Sequence, residues 1–391
     1  MKAFDKLGVV IALLAAYATL IAPFVAFRPN RIVAGQPRAI LDALPNGQGW
    51  LLFAIMGAAA LVALLRTPAS LRLFASLAAL AALGALVGVA AVDLVPEGNS
   101  YARVSPASGF WIAAFAFALL AADALTRLAL GPLARIGVLA LIAAVLALAL
   151  TAGIWDGLSV MKEYETRGPA FWREAGTHVV LALGSLAAAA LVGLPLGIFC
   201  HRQPKLRAGV LHVLNIVQTI PSIALFGMLI APLGWLAANV PLAAALGIRG
   251  IGMAPAFVAL FLYSLLPVVA NTVVGLRNVP KDADDAARGM GMTDRQRLMS
   301  VELPLAFPVI LTGIRIVLVQ NIGLATIAAL IGGGGLGVFV FQGIGQTAMD
   351  LVLLGALPTV ALAFAAAVIL DAVVEMSQTP TRKAAPAGAA A

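Results

Sequence analysis

The sequence predicts an all-α polytopic membrane protein with about ten transmembrane helices. Three observations carry this. Of the 391 residues, 62% are hydrophobic and only 11% are charged, whereas a soluble domain carries about 25% charged residues. The apolar runs are continuous over about 20 residues, the length a helix needs to cross hydrocarbon, and they lack the alternation of a membrane β-barrel. The formal charge is +8; in this setting it reports basic loops on the cytoplasmic side rather than nucleic-acid binding.

The chain opens on MKAFDKLGVVIALLAAYATLIAPFVAF, where lysines precede an apolar run from Leu7 to Phe27. A cleavable signal peptide has a shorter core followed by small residues, so this run reads as an uncleaved signal anchor. Further spans at 49–65, 71–93, 109–129 and 133–155 complete an N-terminal membrane region, 1–155. The polar segment WDGLSVMKEYETRGPAFWREAG follows and reads as an outer, periplasmic linker, 156–176. Spans at 177–200, 209–233, 252–276, 305–330 and 351–374 form a second region, 177–376. The Pro/Ala tail, 377–391, is expected to be disordered.

Placing both termini in the cytoplasm puts most of the 25 Lys and Arg inside, among them Lys2, Lys6, Arg66, Arg72, Arg127, Arg135, Arg202, Lys205 and Arg207. The positive-inside rule favours that orientation, with Arg28, Arg31 and Arg38 counting against it. Asp123, near the inner end of the fourth span, has no obvious partner and is expected to snorkel to the surface. Arg315, near the inner end of the ninth, is expected to neutralise a partner or contact headgroups.

Enzymatic motifs do not emerge. The one cysteine, Cys200, forms no intrachain disulfide, and His178, His201 and His212 are scattered. No HExxH, GxSxG or GxxxxGK[ST] pattern occurs, so no catalytic residue, metal site or nucleotide site is expected in this chain.

The two regions differ in texture. The first is Ala/Leu-rich. The second carries Gln218, Thr219, Ser222, Tyr263, Ser264, Asn271, Thr272, Gln320, Asn321 and Thr326 within its spans, with Pro221, Pro255 and Pro267. Polar groups in hydrocarbon need partners or a water-filled path. Each residue alone also fits interhelical hydrogen bonding; the set favours a pathway. Pro221 within Gln218-Thr219-Ile220-Pro221-Ser222 breaks its span near the middle. Tyr263 and Asn271, eight apart, share a helical face. Gly332, Gly333, Gly334 and Gly335 end the ninth span and suit either a plain loop or a re-entrant gate segment.

Between the eighth and ninth spans lies the most charged window, DDAARGMGMTDRQRLMSVELP, from Asp284 to Pro304. Asn278 and Pro280 suit the start of a short helix, and Asp282, Asp284 and Asp285 suit its positive end. Gly289 and Gly291 suit its termination. Thr293 and Gln296 fit a capping box opening a second helix. Leu303-Pro304 then directs the chain into the next span. The pattern describes a rigid helical elbow at the membrane surface, within the loop 277–304.

This elbow resembles the cytoplasmic motif of ATP-binding-cassette (ABC) importer permeases: E-A-A, three residues, G, nine residues, I-x-L-P. Asp285-Ala286-Ala287, Gly291, Val301, Leu303 and Pro304 stand at that spacing, with Asp for Glu and Val for Ile. The segments VLNIVQTIPSIALFGMLI, ALFLYSLLPVVANTVVGL and FPVILTGIRIVLVQNIGLATIAALIGGGGLG resemble the osmoprotectant branch, which imports glycine betaine, choline, carnitine or proline betaine. The likeness runs from His178 to Glu375; methionine importers share the glycine turn but match the other segments less well.

The resemblance implies a type I importer core with extra N-terminal helices in a bacterial inner membrane. It implies as partners a cytoplasmic ATPase holding ATP and Mg, a periplasmic binding protein and a second permease, identical or not. Asp284, Asp285, Ala286, Ala287, Gly289, Gly291, Leu303 and Pro304 would then couple to the ATPase, with Ala286, Ala287 and Gly291 as the small docking surface. Gln218, Thr219, Pro221, Ser222, Tyr263, Asn271, Asn321 and Gly332 to Gly335 are the pathway or gate candidates. Alternatives are a permease for another small solute, such as a methionine-like amino acid, and an ion-coupled secondary transporter. The latter normally needs an intramembrane ionisable group, and no Asp, Glu, Lys or Arg lies in 209–247, 251–275 or 317–348.

Overall fold

The computed structural model describes residues 4–30, 33–45, 47–96, 98–99 and 101–378. It is α-helical and polytopic, and divides into two compact units, Met1–Thr166 and Arg167–Ala391. The tail expected to be disordered lies outside the described residues from 379 onward.

In the first unit, helix α1 (Lys6–Leu20) is capped by Asp5, whose Oδ1 accepts from the Gly8 amide at 2.9 Å. The helix stops short of the expected 7–27 span. Pro23 lacks an amide to continue it, and the apolar residues beyond form β1 (Val25–Arg28). This strand pairs antiparallel with β2 (Gln36–Arg38) on one side and β3 (Arg103–Pro106) on the other. Hydropathy cannot distinguish the two outcomes, because the strand is as apolar as the helix.

The short α2 (Ile40–Ala43) leads to α3 (Gln48–Leu64), α4 (Ala69–Asp93) and α5 (Ser108–Leu128). Helix α1 packs on α3 and α5, and α4 packs on both of those as well. Ile11, Leu52, Met56, Leu83, Phe117 and Leu120 fill the core, with Ala59, Ala79, Ala90 and Ala116 buried where helices meet. Lipid is as apolar as leucine, so such helices associate through close packing, which small residues permit. The apolar α6 (Pro132–Thr151) has no buried residue.

Asp123 does not snorkel. It joins Asp5, Arg72 and Arg127 in a closed ring. Arg72 lies 3.1 Å from Asp123 and 3.5 Å from Asp5; Arg127 lies 2.9 Å from Asp123 and 2.7 Å from Asp5. Arg72 is fully buried and also donates to the carbonyls of Ala63 and Leu65. The ring draws on two helices, α4 and α5, and the cap of α1; Arg127 is one turn from Asp123, but Arg72 and Asp5 are distant in sequence.

In the second unit, the segment expected to be a linker is largely helical. Helix α7 (Ser159–Val179), in which the unit boundary falls, continues through a π turn (Val180–Gly184) into α8 (Ser185–Arg202), making one 44-residue helix. Its polar composition suggested a loop, yet Met, Lys, Glu, Arg and Ala are good helix formers. The expected 209–233 span is broken: α9 (Pro204–Thr219) ends before Ile220-Pro221, and α10 (Ser222–Met228), α11 (Ile230–Asn239) and α12 (Pro241–Ala245) follow.

Helix α13 (Met253–Arg277) is the centre of this unit, packed between α8 and α16 (Leu303–Ala325). Between α13 and α16 stand α14 (Lys281–Gly289), α15 (Asp294–Arg297) and a π turn (Leu298–Glu302). A 3-10 turn (Ile327–Ile331) and the glycine run lead to α17 (Gly337–Gly345) and α18 (Met349–Ser377), which packs on α16 and α17. Among the described residues, eight helices are long and apolar enough to cross a membrane, and Lys6–Leu20 and Gln48–Leu64 are shorter apolar helices.

The charged ring of the first unit yields a prediction. Arg72→Met removes the buried cation of the ring, leaves the exposed Arg127 alone to compensate Asp5 and Asp123, and should destabilise the protein by about 3 kcal/mol, read as a fall in Tm. Burial raises the Asp5 pKa, but the Arg127 hydrogen bond, the Gly8 amide and Arg72 together hold it below its ordinary value. Its stabilisation is therefore full above the unfolded pKa of about 3.9 and is lost as pH falls through the lower folded pKa. Thermal scans between pH 7 and pH 3 should show this loss, and Asp5→Asn should remove that part of the pH dependence.

Candidate functional site

The break between α9 and α10 is organised by α13. Ile220 adopts an extended conformation with ψ 127°. Its carbonyl accepts from the Tyr263 hydroxyl, and Gln218 Nε2 donates to the Tyr263 carbonyl at 2.7 Å. Tyr263 thus accepts from Gln218 through its carbonyl and donates to Ile220 through its hydroxyl, two bonds that hold the break against α13. Thr219 and Pro221 are exposed in this chain, Ser222 is half-buried, and Thr219 Oγ1 donates to the Ile216 carbonyl at 2.6 Å.

The remaining polar candidates are elsewhere. Asn271 donates to the Pro267 carbonyl one turn back, at 2.8 Å. It faces Gly313 of α16 so closely that a Cβ there would lie 2.6 Å from Asn271 Cβ. Asn321 is fully buried, and its Nδ2 donates to Ser185 Oγ and Ser264 Oγ, each at 2.9 Å. This hub joins α8, α13 and α16. Its burial and saturation are those of interhelical hydrogen bonding, the alternative role such residues have. Ser185 has a further bond to the Leu181 carbonyl at 2.6 Å.

The glycine run is a tight turn lying on α7. Gly332, Gly334 and Gly335 have φ of +73°, +78° and +88°, the left-handed region that glycine enters freely. The Gly335 amide donates to Glu174 Oε2 at 2.8 Å, and a Cβ on Gly334 would meet the same oxygen at 2.9 Å. His178, buried one turn further, lies against Gly335. Glu174 was invisible while 156–176 read as a linker; its helical spacing to His178 is the signal that could have drawn both into view.

The elbow has the expected anatomy. Pro280 precedes α14, Gly289 ends it, and Gly291 has φ +77°. Thr293 and Gln296 form a reciprocal capping box. Leu303 and Pro304 open α16. The two faces of α14 differ, however. Asp282, Asp285, Ala286, Gly289 and Met290 are exposed, whereas Ala287 is 1% exposed and Asp284 is half-buried. Ala287 thus packs into the protein's own body, away from the exposed face of α14. Arg315 pairs with Asp371 of α18 at 2.5 Å. Among the described residues, no three His, Cys, Asp or Glu side chains gather as a metal site.

Helices long and apolar enough to cross a membrane, one apolar stretch broken at Ile220-Pro221 and a helical elbow between α13 and α16, fit a multi-pass membrane permease. Residues 193–381 match the family described as binding-protein-dependent transport system inner membrane component. Residues 5–161 match the N-terminal domain of ABC transporter permease YehY. The choline transport system permease protein OpuBB of Bacillus subtilis (strain 168) is 36% identical over 229 residues, 59% of this chain and 95% of that protein. The osmoprotectant import permease protein OsmW of Salmonella typhimurium is 44% identical over 180 residues, 46% of this chain and 79% of that protein. The carnitine transport permease protein OpuCB of Listeria monocytogenes is 39% identical over 186 residues, 48% of this chain and 78% of that protein. An inward-facing structure of the MetNI methionine ABC transporter is 22% identical, covers 55% of this chain and 99% of its own, and has a TM-score of 0.46.

The chain belongs to the ABC importer permeases, in the family of binding-protein-dependent inner membrane components, and resembles their osmoprotectant branch. It is therefore a multi-pass inner-membrane transport component rather than an enzyme, in a family whose ATPase activity resides on a separate subunit. Membership implies an ATPase, a binding protein and a second permease as partners.

The Glu174–Gly335 contact is directly measurable. A hydrogen bond to a charged acceptor contributes about 1.5–3 kcal/mol. Glu174→Ala should therefore speed amide exchange at Gly335 by roughly tenfold or more, while Glu174→Gln, which keeps an acceptor oxygen, should retain most of the protection. Hydrogen–deuterium exchange with fragment-level readout of 332–337 decides between these outcomes.

Proposed function

We propose that this chain is the permease subunit of an ATP-driven importer of small quaternary-ammonium osmoprotectants such as choline, glycine betaine or carnitine, delivered by a periplasmic binding protein. The observation that carries the reading is the motif Asp285-Ala286-Ala287, Gly291, Val301, Leu303, Pro304 on a rigid, capped elbow, in a chain whose relatives are named for such solutes. Both termini and the elbow lie in the cytoplasm. Two permease cores, identical or paired with a sister chain, enclose the pathway, and residues 1–155 form an accessory membrane region beside the core 177–376. This chain needs no cofactor; ATP and Mg are held by the ATPase.

The outward face of α14, Asp282, Asp285, Ala286, Gly289 and Met290, is the ATPase contact. Small Ala286 and Gly289 admit close approach, and Met290, 70% exposed, offers an adaptable apolar anchor. Ala287, Gly291, Leu303 and Pro304 shape the elbow from within. Gln218, Thr219, Pro221, Ser222 and Tyr263 form a polar break lining the pathway, and the Gly332–Gly335 turn closes its outer end. Asn271 and Asn321 set the spacing of the helices around it. The absence of fixed charge along 209–247 and 251–275 suits a permanently cationic or zwitterionic solute, which would stall on a carboxylate. Selection by cation–π attraction then belongs to the binding protein.

Ala286→Arg places a long cation on the contact face without entering the core. It should abolish co-purification of the ATPase while leaving the permease inserted in the membrane. Proteoliposomes with the intact complex and its binding protein should take up labelled choline, glycine betaine or carnitine only when ATP is present. Uptake driven by an ion gradient with no ATPase present would sink the reading.

A further inference from the structure

The charges of the elbow fall into two sets. Asp282, Asp285, Arg288 and Arg295 are exposed, whereas Arg297 and Glu302 are buried and Asp284 is half-buried. Arg297 Nε lies 2.8 Å from Asp284 Oδ1, its Nη1 3.2 Å from Asp294 Oδ1, and its Nη2 3.9 Å from Glu302 Oε1. Glu302 in turn accepts from Arg202 Nη2 with both oxygens, at 3.1 and 3.2 Å. The signs alternate along Asp284, Arg297, Glu302 and Arg202. No member is available to a partner without leaving a buried charge uncompensated, which is strongly unfavourable.

The connectivity of this ladder matters more than its strength. Asp284 and Glu302 stand at opposite ends of the motif, one before Asp285-Ala286-Ala287 and the other between Val301 and Leu303. Arg297 joins them, so the motif closes on itself. Glu302 is the last residue of the π turn Leu298–Glu302, where an extra residue shifts the helical register; such turns recur at functional sites. Helices α13 and α16 are tied to the elbow by the chain itself. Helix α8 is not: its last residue, Arg202, is 100 positions from Glu302, and among the described residues this ion pair is its charged link to the elbow, beside the apolar cluster that Ile198 shares with Leu298 and Leu303.

We propose that Asp284–Arg297–Glu302–Arg202 is a transmission strut. It makes the elbow and the inner end of α8 one rigid body, so that displacement of α14 moves α8 instead of being absorbed at the membrane surface. Arg202, Arg297 and Glu302 are positioning residues: they touch neither solute nor nucleotide. The inference rests on the reading of the elbow as the ATPase contact, and coupling through it needs an element with two arrangements that both sites bias.

Arg202 is partly exposed at a helix end, so Arg202→Met tests the strut with little risk to folding. In the reconstituted complex, Arg202→Met should leave ATPase co-purification unchanged and lower solute moved per ATP at least about fivefold, the small end of coupling between sites. Arg202→Lys, which restores the charge, should recover part of it. Spin labels on Met290→Cys and Gln203→Cys, with buried Cys200→Ala, should report one narrow distance in the unsubstituted full-length chain, a broad distribution in Arg202→Met and a narrower one in Arg202→Lys. A narrow distribution in Arg202→Met, or transport and hydrolysis falling in parallel, overturns the proposal. Should no ATPase bind the unsubstituted chain, the docking reading fails by itself, and the distance distributions still decide whether the strut exists.

Discussion

A polar group in hydrocarbon has no water to fall back on, and this constraint shapes both units. Backbone groups stay paired where the chain abandons the helix: the apolar residues after Pro23 enter a three-stranded sheet, and the Ile220 carbonyl at the α9–α10 break takes the Tyr263 hydroxyl. Side chains obey the same rule. Asn321 is saturated by Ser185 and Ser264, and Arg72 is compensated by two carboxylates and two carbonyls. An unpaired member at any of these points would cost several kcal/mol in lipid, so each polar residue implies a partner, and the partners define which helices must touch.

The two units answer this demand differently. In the first, helices meet on alanine and the charges gather in one ring beside the start of α1. Such packing leaves few alternative arrangements, because close-packed helices with one buried ion cluster cannot slide without separating charges. In the second, polar contacts are distributed along the depth of the bundle: the Gln218–Tyr263 pair, the Asn321 hub and the Glu174 bond to the glycine turn. The first and last join a break or a turn to a continuous helix, and the Asn321 hub joins three helices. Segments that can rearrange are thereby anchored one bond at a time, which is the condition for a bundle with more than one stable arrangement.

The spans were legible because hydropathy over about 20 residues is a strong signal, and the elbow because caps, glycines and Pro280 are local features. The Thr293–Gln296 box and the left-handed Gly291 needed only neighbours in sequence. What stayed hidden depended on distant partners or on facing. Asp123 looked solitary because two of its ring partners, Arg72 and Asp5, lie far off in sequence on α4 and at the cap of α1, although Arg127 stands one turn further on its own helix. Glu174 looked like part of a loop because charge was read as exposure, although Lys, Glu and Arg sustain α7 as readily as they would a surface loop. Ala287 looked like part of a docking face because the motif is read as a string; on a helix, Asp284 and Ala287 share the inner face while Asp285 and Ala286 look outward.

That division of faces explains why so charged a window persists in so apolar a chain. On the proposed docking face of α14, small or adaptable Ala286, Gly289 and Met290 are exposed beside Asp282 and Asp285. On the inner face, Asp284, Arg297 and Glu302 pair with one another, where the proposed strut has to pass a displacement on rather than accommodate it. An apolar contact there would slip, since dispersion is nearly indifferent to small lateral shifts. An ion pair such as Arg202–Glu302, in which one guanidinium nitrogen lies against both carboxylate oxygens, is directional and charge-assisted and therefore resists shear better than an apolar contact. Burial sharpens this, because a separated pair would leave Arg297 or Glu302 uncompensated in a poorly solvated site. The residues that look most like ligands for an outside partner are thus best placed to hold the elbow together, and the small ones beside them to be touched.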